Sequence, residues 1–269
     1  MKLDVRGTVL LFAAITLVTF AIETLSYSDL RSVSAVSAVI GIIVLVFFIR
    51  TERKCPAPLL NLSMFRDWQF LSIFLCLMMV NMVFMGMLYL LPFYGEICLE
   101  MSSATVGLFL LISAAVTAVL GMPVAKLSDR KGRRGICVLA GLFAATGFGL
   151  QAVFTYDMNT AILSVSLVLM GVSWACVGGP MASRLVEHAG DERDMASSLT
   201  NEAYYIGGAV GTALTAMLFT LFSATDGIDI QNVSSEAFMN GFAPTAFIVM
   251  GISLLIALLS LIVKDSGKE

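Results

Sequence analysis

The sequence predicts an all-α membrane protein with eight transmembrane helices, on three observations. The first is composition: 58% of the 269 residues are hydrophobic, 13% are charged and the mean hydropathy is +0.92. A soluble domain of this length needs more polar surface than that. The second is that the chain divides into eight apolar runs of close to the ~20 residues that span a bilayer as a helix. They cover residues 8–26, 33–50, 69–93, 104–125, 134–154, 160–183, 195–222 and 243–264. The third is the distribution of Lys and Arg. With eight helices, every basic residue but Arg31 falls on one side, fifteen of the sixteen, and the positive-inside rule makes that side, with both termini, cytoplasmic. A missed or extra helix would scramble the asymmetry.

Several function classes are disfavoured at once. The net charge of −3 is spread among loops, and the basic clusters lack the aromatic interleaving of a nucleic-acid groove. Cys55, Cys76, Cys98, Cys137 and Cys176 show no CxxC spacing, so neither a metal site nor a disulfide framework is expected, and no cofactor is called for. The motifs HExxH, GxSxG and the P-loop are absent from the sequence, so an enzyme is the least expected class.

The first two runs form a helix pair within residues 1–50. Residues 51–68 follow as a cytoplasmic loop, in which Cys55-Pro56-Ala57-Pro58 stops any helix from running through. Leu59, Leu62, Met64 and Phe65 suit an interfacial amphipathic segment there. The remaining six runs, in residues 69–269, form a second unit.

The third run carries Asn81 near mid-membrane, with Met78, Met82 and Met85 at helical spacing. An amide at that depth needs a partner or a water-filled cavity. Beside polarizable methionines it suits a bulky lipophilic or cationic substrate; equally, it suits an amide bonded to a neighbouring backbone among packed methionines. Tyr89, Pro92, Phe93 and Tyr94 mark the outer interface. Between the fourth and fifth runs, Lys126, Arg130, Lys131, Arg133 and Arg134 surround a lone acid, Asp129, with Gly132 to supply the turn. On charge alone this is an ordinary cytoplasmic anchor.

The sixth run passes through Gly171, Trp174, Gly178, Gly179 and Pro180, where small residues permit close packing or a kink. His188, the only histidine, is expected in a solvated loop after it. The seventh run holds Glu202, about 10 Å from the cytoplasmic end at 1.5 Å per residue, where a carboxyl is a candidate to take up and release a proton. The alternative is an acid reaching the interface or a nearby cation. Gly207, Gly208 and Gly211 offer close helix packing, with Gly207 and Gly211 forming GxxxG. The eighth run is apolar and ends at Lys264.

The order of residues in the basic loop is more particular than its charge. Ala125-Lys126-Leu127-Ser128-Asp129-Arg130-Lys131-Gly132-Arg133-Arg134 resembles the loop signature of the major facilitator superfamily, found between the second and third helices of each six-helix half. Ala196 to Gly211 resembles the fifth helix of the same half. Thr51-Glu52-Arg53-Lys54, Pro58 to Arg66 and Trp68 to Phe70 resemble the loop that leads into the C-terminal bundle of the fourteen-helix drug/proton antiporters.

The resemblance implies two central helices followed by a major-facilitator-type six-helix half, in the plasma membrane. It implies that Asp129, Arg130, Gly132 and Arg133 form a cytoplasmic gating latch, although Ala125 stands where the family has its first glycine. Tyr204 and Tyr205 stand where a basic or amide pair is common, so they join Asn81 and the three methionines as substrate-cavity candidates, and Glu202 becomes the proton-coupling candidate. The function expected is a proton-coupled multidrug efflux transporter, truncated or split and lacking its N-terminal six helices. Its partners would be the lipid bilayer, protons, a small lipophilic or cationic substrate, and a missing N-terminal half or a second copy. The alternatives are a transporter of sugars or metabolites and a non-transporting membrane scaffold.

Overall fold

The computed structural model describes residues 5–24, 30–53, 64–131, 133–225 and 230–262. The described residues build eight long helices: α1 (Val5–Thr24), α2 (Arg31–Glu52), α3 (Trp68–Phe93), α4 (Ser103–Lys131), α5 (Arg133–Val153), α6 (Thr160–His188), α7 (Arg193–Ser223) and α8 (Ser235–Ile262). Seven are long and apolar enough to cross a membrane, and α1 carries a shorter apolar stretch, Arg6–Ile22.

Local chemistry sets the helix ends. The Asp67 carboxylate accepts from the Gln69 N–H at 2.9 Å to start α3, and the Asn159 side chain does the same for Ala161 at 2.9 Å to start α6. At the far end of α3, Pro92 brings no N–H to the ladder, and the helix widens directly afterwards into a π turn at Tyr94–Cys98.

Three ends differ from the sequence expectation. The fourth helix runs on to Lys131 instead of stopping near residue 125, because long basic side chains tolerate a helix end at the membrane surface. The sixth continues to His188, which therefore occupies a last helical turn and not a loop. The eighth begins at Ser235, eight residues before position 243. The Ser234 hydroxyl accepts from the Ala237 N–H at 3.3 Å, and the helix passes through Asn240, Gly241 and Pro244, which read as breakers in isolation.

α3 is the centre of the bundle. Phe70, Ile73, Leu77, Met87, Leu90 and Leu91 on it are almost fully buried, and its most extensive partner is α7, followed by α8 and α6. α5 packs between α6 and α8, and α4 rests chiefly on α6. α1 and α2 pack on each other, where the Ser34 hydroxyl donates to the Ala21 carbonyl at 2.5 Å, and α1 leans on α7. Outward faces are apolar, as at Val36, Ile42 and Phe47 of α2 and Leu108, Val119 and Met122 of α4. Such faces suit lipid and would be costly in water. Tyr94, expected at the outer interface, is buried: its hydroxyl donates to the Thr155 carbonyl at 3.0 Å and its ring stacks on Phe242 at 4.9 Å.

Candidate substrate and proton site

The close seam between α3 and α7 positions the mid-membrane residues. A Cβ added to Gly207 would overlap the Met78 carbonyl, and one added to Gly211 would overlap that of Met82. Only hydrogen at these two positions lets the backbones approach so closely. Gly86 on the opposite helix answers them, since a Cβ there would lie 2.8 Å from the Gly211 carbonyl oxygen. Two of the three predicted packing glycines thus face α3 backbone. The third, Gly208, faces side chains, where a Cβ would stand 2.9 Å from Asn81 Nδ2 and 3.3 Å from Met85 Cγ.

Asn81 is 5% exposed, and its amide nitrogen donates to the Tyr204 backbone carbonyl across the seam. Tyr204 in turn sends its hydroxyl to the Gly178 carbonyl of α6 at 2.9 Å. The chain Asn81, Tyr204, Gly178 therefore stitches α3, α7 and α6 together at mid-membrane. Two aromatic residues join it. Trp174 stacks on Phe84 with centroids 4.8 Å apart, and it lies 5.7 Å from the Tyr204 ring. Phe84 and Trp174 were not singled out as site residues from the sequence. The available signal was a lone tryptophan in the middle of an apolar run, four residues before Gly178.

The other candidates lie elsewhere. Successive helical residues diverge by about 100°, so Tyr205 points away from Tyr204 and is 76% exposed. Glu202, two residues before Tyr204, is half-buried on a side of α7 turned some 200° from the aromatic cluster. Among the described residues its carboxylate makes no hydrogen bond or ion pair. Met78, Met82 and Met85 are half-buried. The structure thus gathers Asn81, Tyr204 and Met85 in one place and leaves Glu202 and Tyr205 on another face.

At the cytoplasmic end expected from the charge pattern, Asp129 and Arg130 are exposed on the last turns of α4, and Asp129 has a polar or electrostatic partner. Gly132 and the Arg133 side chain lie outside the described residues, as do Cys55, Leu59 and Leu62. A contact not anticipated from the sequence joins the same end: His188 Nε2 meets Asp67 Oδ2 at 2.5 Å. This imidazole holds the Asp67 carboxyl below its usual range, and the Gln69 N–H adds to the effect.

Residues 5–212 match the Major Facilitator Superfamily. The chain belongs to that superfamily. It is a multi-pass membrane protein of a transporter family, not an enzyme. The multidrug efflux pump LfrA of Mycolicibacterium smegmatis is 25% identical over 81% of this chain and 44% of its own length. The puromycin resistance protein of Streptomyces alboniger is 25% identical over 100% of this chain and 55% of its own. A multidrug resistance protein B homolog of Mycobacterium tuberculosis is 26% identical over 69% of this chain and 35% of its own. The chain spans about half the length, or less, of these superfamily relatives.

Proposed function

We propose that this superfamily chain supplies the C-terminal half of a proton-coupled multidrug efflux transporter of the fourteen-helix branch. In this reading all eight helices span the plasma membrane as a central pair in residues 1–50, a cytoplasmic loop in 51–68 and a six-helix bundle in 69–269, with both termini cytoplasmic. The observation that carries it is the mid-membrane cluster of Asn81, Tyr204, Trp174 and Phe84, a polar and aromatic patch placed where α3, α6 and α7 converge. The drug-resistance names of the relatives point the same way.

Alternating access needs two bundles rocking about a midplane site. The cluster forms one wall for a small lipophilic or cationic substrate, with Met78, Met82 and Met85 adding soft surface and Tyr205 reaching toward the opposite bundle. Glu202 binds and releases the coupled proton, and because it shares α7 with Tyr204 a change in its charge is felt at the cluster through one rigid helix. Asp129, Arg130, Gly132 and Arg133 latch the cytoplasmic side.

A second reading is favoured by one contact. Asn81 donates to a backbone carbonyl, as an amide serving helix packing alone would, and a packing amide is compatible with another substrate class or with a scaffold. Ethidium accumulation in a pump-deficient bacterium separates the readings. Making this chain together with a complementary N-terminal six-helix bundle lowers steady-state dye if the proposal holds. Unchanged accumulation with the protein stably in the membrane speaks for the second reading.

A further inference from the structure

The aromatic cluster contains a hydrogen-bond donor that meets no acceptor among the described residues. Trp174 stands at the middle of α6 (Thr160–His188), and its plane is fixed by stacking on Phe84 at 4.8 Å and 30° and by the Tyr204 ring at 5.7 Å. Its Nε1 lies over the bare Cα of Gly178, where a Cβ would come within 3.6 Å. The neighbouring Tyr204 hydroxyl already donates to the Gly178 carbonyl. Among the described residues the indole N–H itself makes no hydrogen bond, although the residue is only half-buried. An indole donor at mid-membrane is costly unless something meets it, and lipid chains offer no acceptor.

We infer that Trp174 contacts the substrate directly, stacking on a planar aromatic ring while its indole N–H donates to an oxygen or nitrogen acceptor on the same molecule. The inference rests on the transport reading above and narrows it: the preferred cargo is a planar aromatic compound bearing a carbonyl or similar acceptor, not any lipophilic cation. Phe84 backs the indole and keeps its plane in place. Met85, beside Gly208 on the same seam, lines the neighbouring surface with a polarizable thioether.

The chain has two tryptophans, and the other, Trp68, is at the start of α3 and 62% exposed. Replacing it (Trp68→Phe) leaves Trp174 as the only indole, so its emission reports on the site. The full chain carrying this change is placed in lipid nanodiscs and titrated with daunorubicin, a planar quinone with carbonyl acceptors, and with ethidium, a planar cation without them. Saturable quenching of Trp174 by daunorubicin is expected. Trp174→Phe, which keeps a ring but removes the donor, should weaken daunorubicin about tenfold by dye anisotropy and ethidium only about threefold, in line with one lost hydrogen bond added to reduced stacking.

Three results overturn the inference. They are bound daunorubicin that leaves Trp174 emission unchanged, equal losses for the two dyes in Trp174→Phe, and no binding of either dye. Phe84→Leu guards against a folding artefact: it should lower affinity for both dyes by a similar factor while preserving the preference between them. The transport reading is scored separately, by efflux in cells. Efflux that persists while Trp174 proves silent sinks this inference alone, and absent efflux sinks the reading beneath it.

Discussion

Asp67 at the start of α3 and His188 at the end of α6 meet at 2.5 Å, tying together the adjacent ends of two helices that also meet where Phe84 stacks on Trp174. The carboxylate serves twice, since it caps the Gln69 N–H as well. Its folded-state acidity is raised by His188 first and by the cap second, so its contribution to stability is present above the ordinary carboxylate range. That contribution is lost as pH falls through the depressed value. Both side chains are partly solvated, 26% and 49% exposed, so the effect is small. Asp67→Asn retains a good cap and gives up both the charge and the second oxygen that meets His188. It should flatten the acid limb of a thermal-stability profile in detergent while changing the midpoint at neutral pH by at most a few degrees. An acid limb identical to that of the unaltered protein would show that the pair contributes nothing.

The α3–α7 seam makes a sharper stability prediction. Gly211→Val drives a side chain into the Met82 carbonyl, and the two backbones must separate to admit it. A loss of about 2–3 kcal/mol is expected, the upper part of the range for overpacked sites. Gly121→Ala is the matched control: nothing lies within 4 Å of the added methyl group, so it should be neutral or slightly stabilising. Unfolding in mixed micelles measures both. Equal effects from the two changes would mean that the seam is not a close contact.

Tyr204→Phe tests the link between α7 and α6. It removes the hydroxyl bond to Gly178 and keeps the ring against Trp174, so stability should fall by about 1 kcal/mol. Asn81→Ala removes the bond to Tyr204 and leaves a cavity in the seam, and should cost more. The comparison is made by the same micelle unfolding. A larger loss in Tyr204→Phe than in Asn81→Ala would invert the assigned order of the two links.

Much of this architecture was legible in the sequence, because a bilayer imposes a length and a polarity that apolar runs reveal directly. The glycines of the seventh run announced a close approach, and Gly207 and Gly211 meet α3 backbone. What stayed hidden depends on long-range geometry. Nothing local signals that Asp67 and His188, 121 positions apart, become neighbours. Trp174 read as one large residue among small ones until α3 and α7 brought Phe84 and Tyr204 to it. Helix ends escaped for a different reason: Asn240, Gly241 and Pro244 break helices in water, whereas inside α8 packing overrides them. The separation of Glu202 from the aromatic cluster follows from two residues of helical rotation, which is readable only once the inward face of α7 is known.

In the proposed reading this chain forms half of a proton-driven efflux transporter and Glu202 carries the proton. Everted membrane vesicles containing the chain and a complementary six-helix bundle test it most directly, with ethidium uptake followed as a pH gradient is imposed and collapsed. Gradient-dependent uptake that is lost in Glu202→Gln, with the variant present in the membrane at equal amount, is the predicted result. Uptake in the Gln variant at the unaltered rate and with the same dependence on the gradient would contradict the role given to Glu202, and no gradient-dependent uptake in either protein would contradict the transport claim itself.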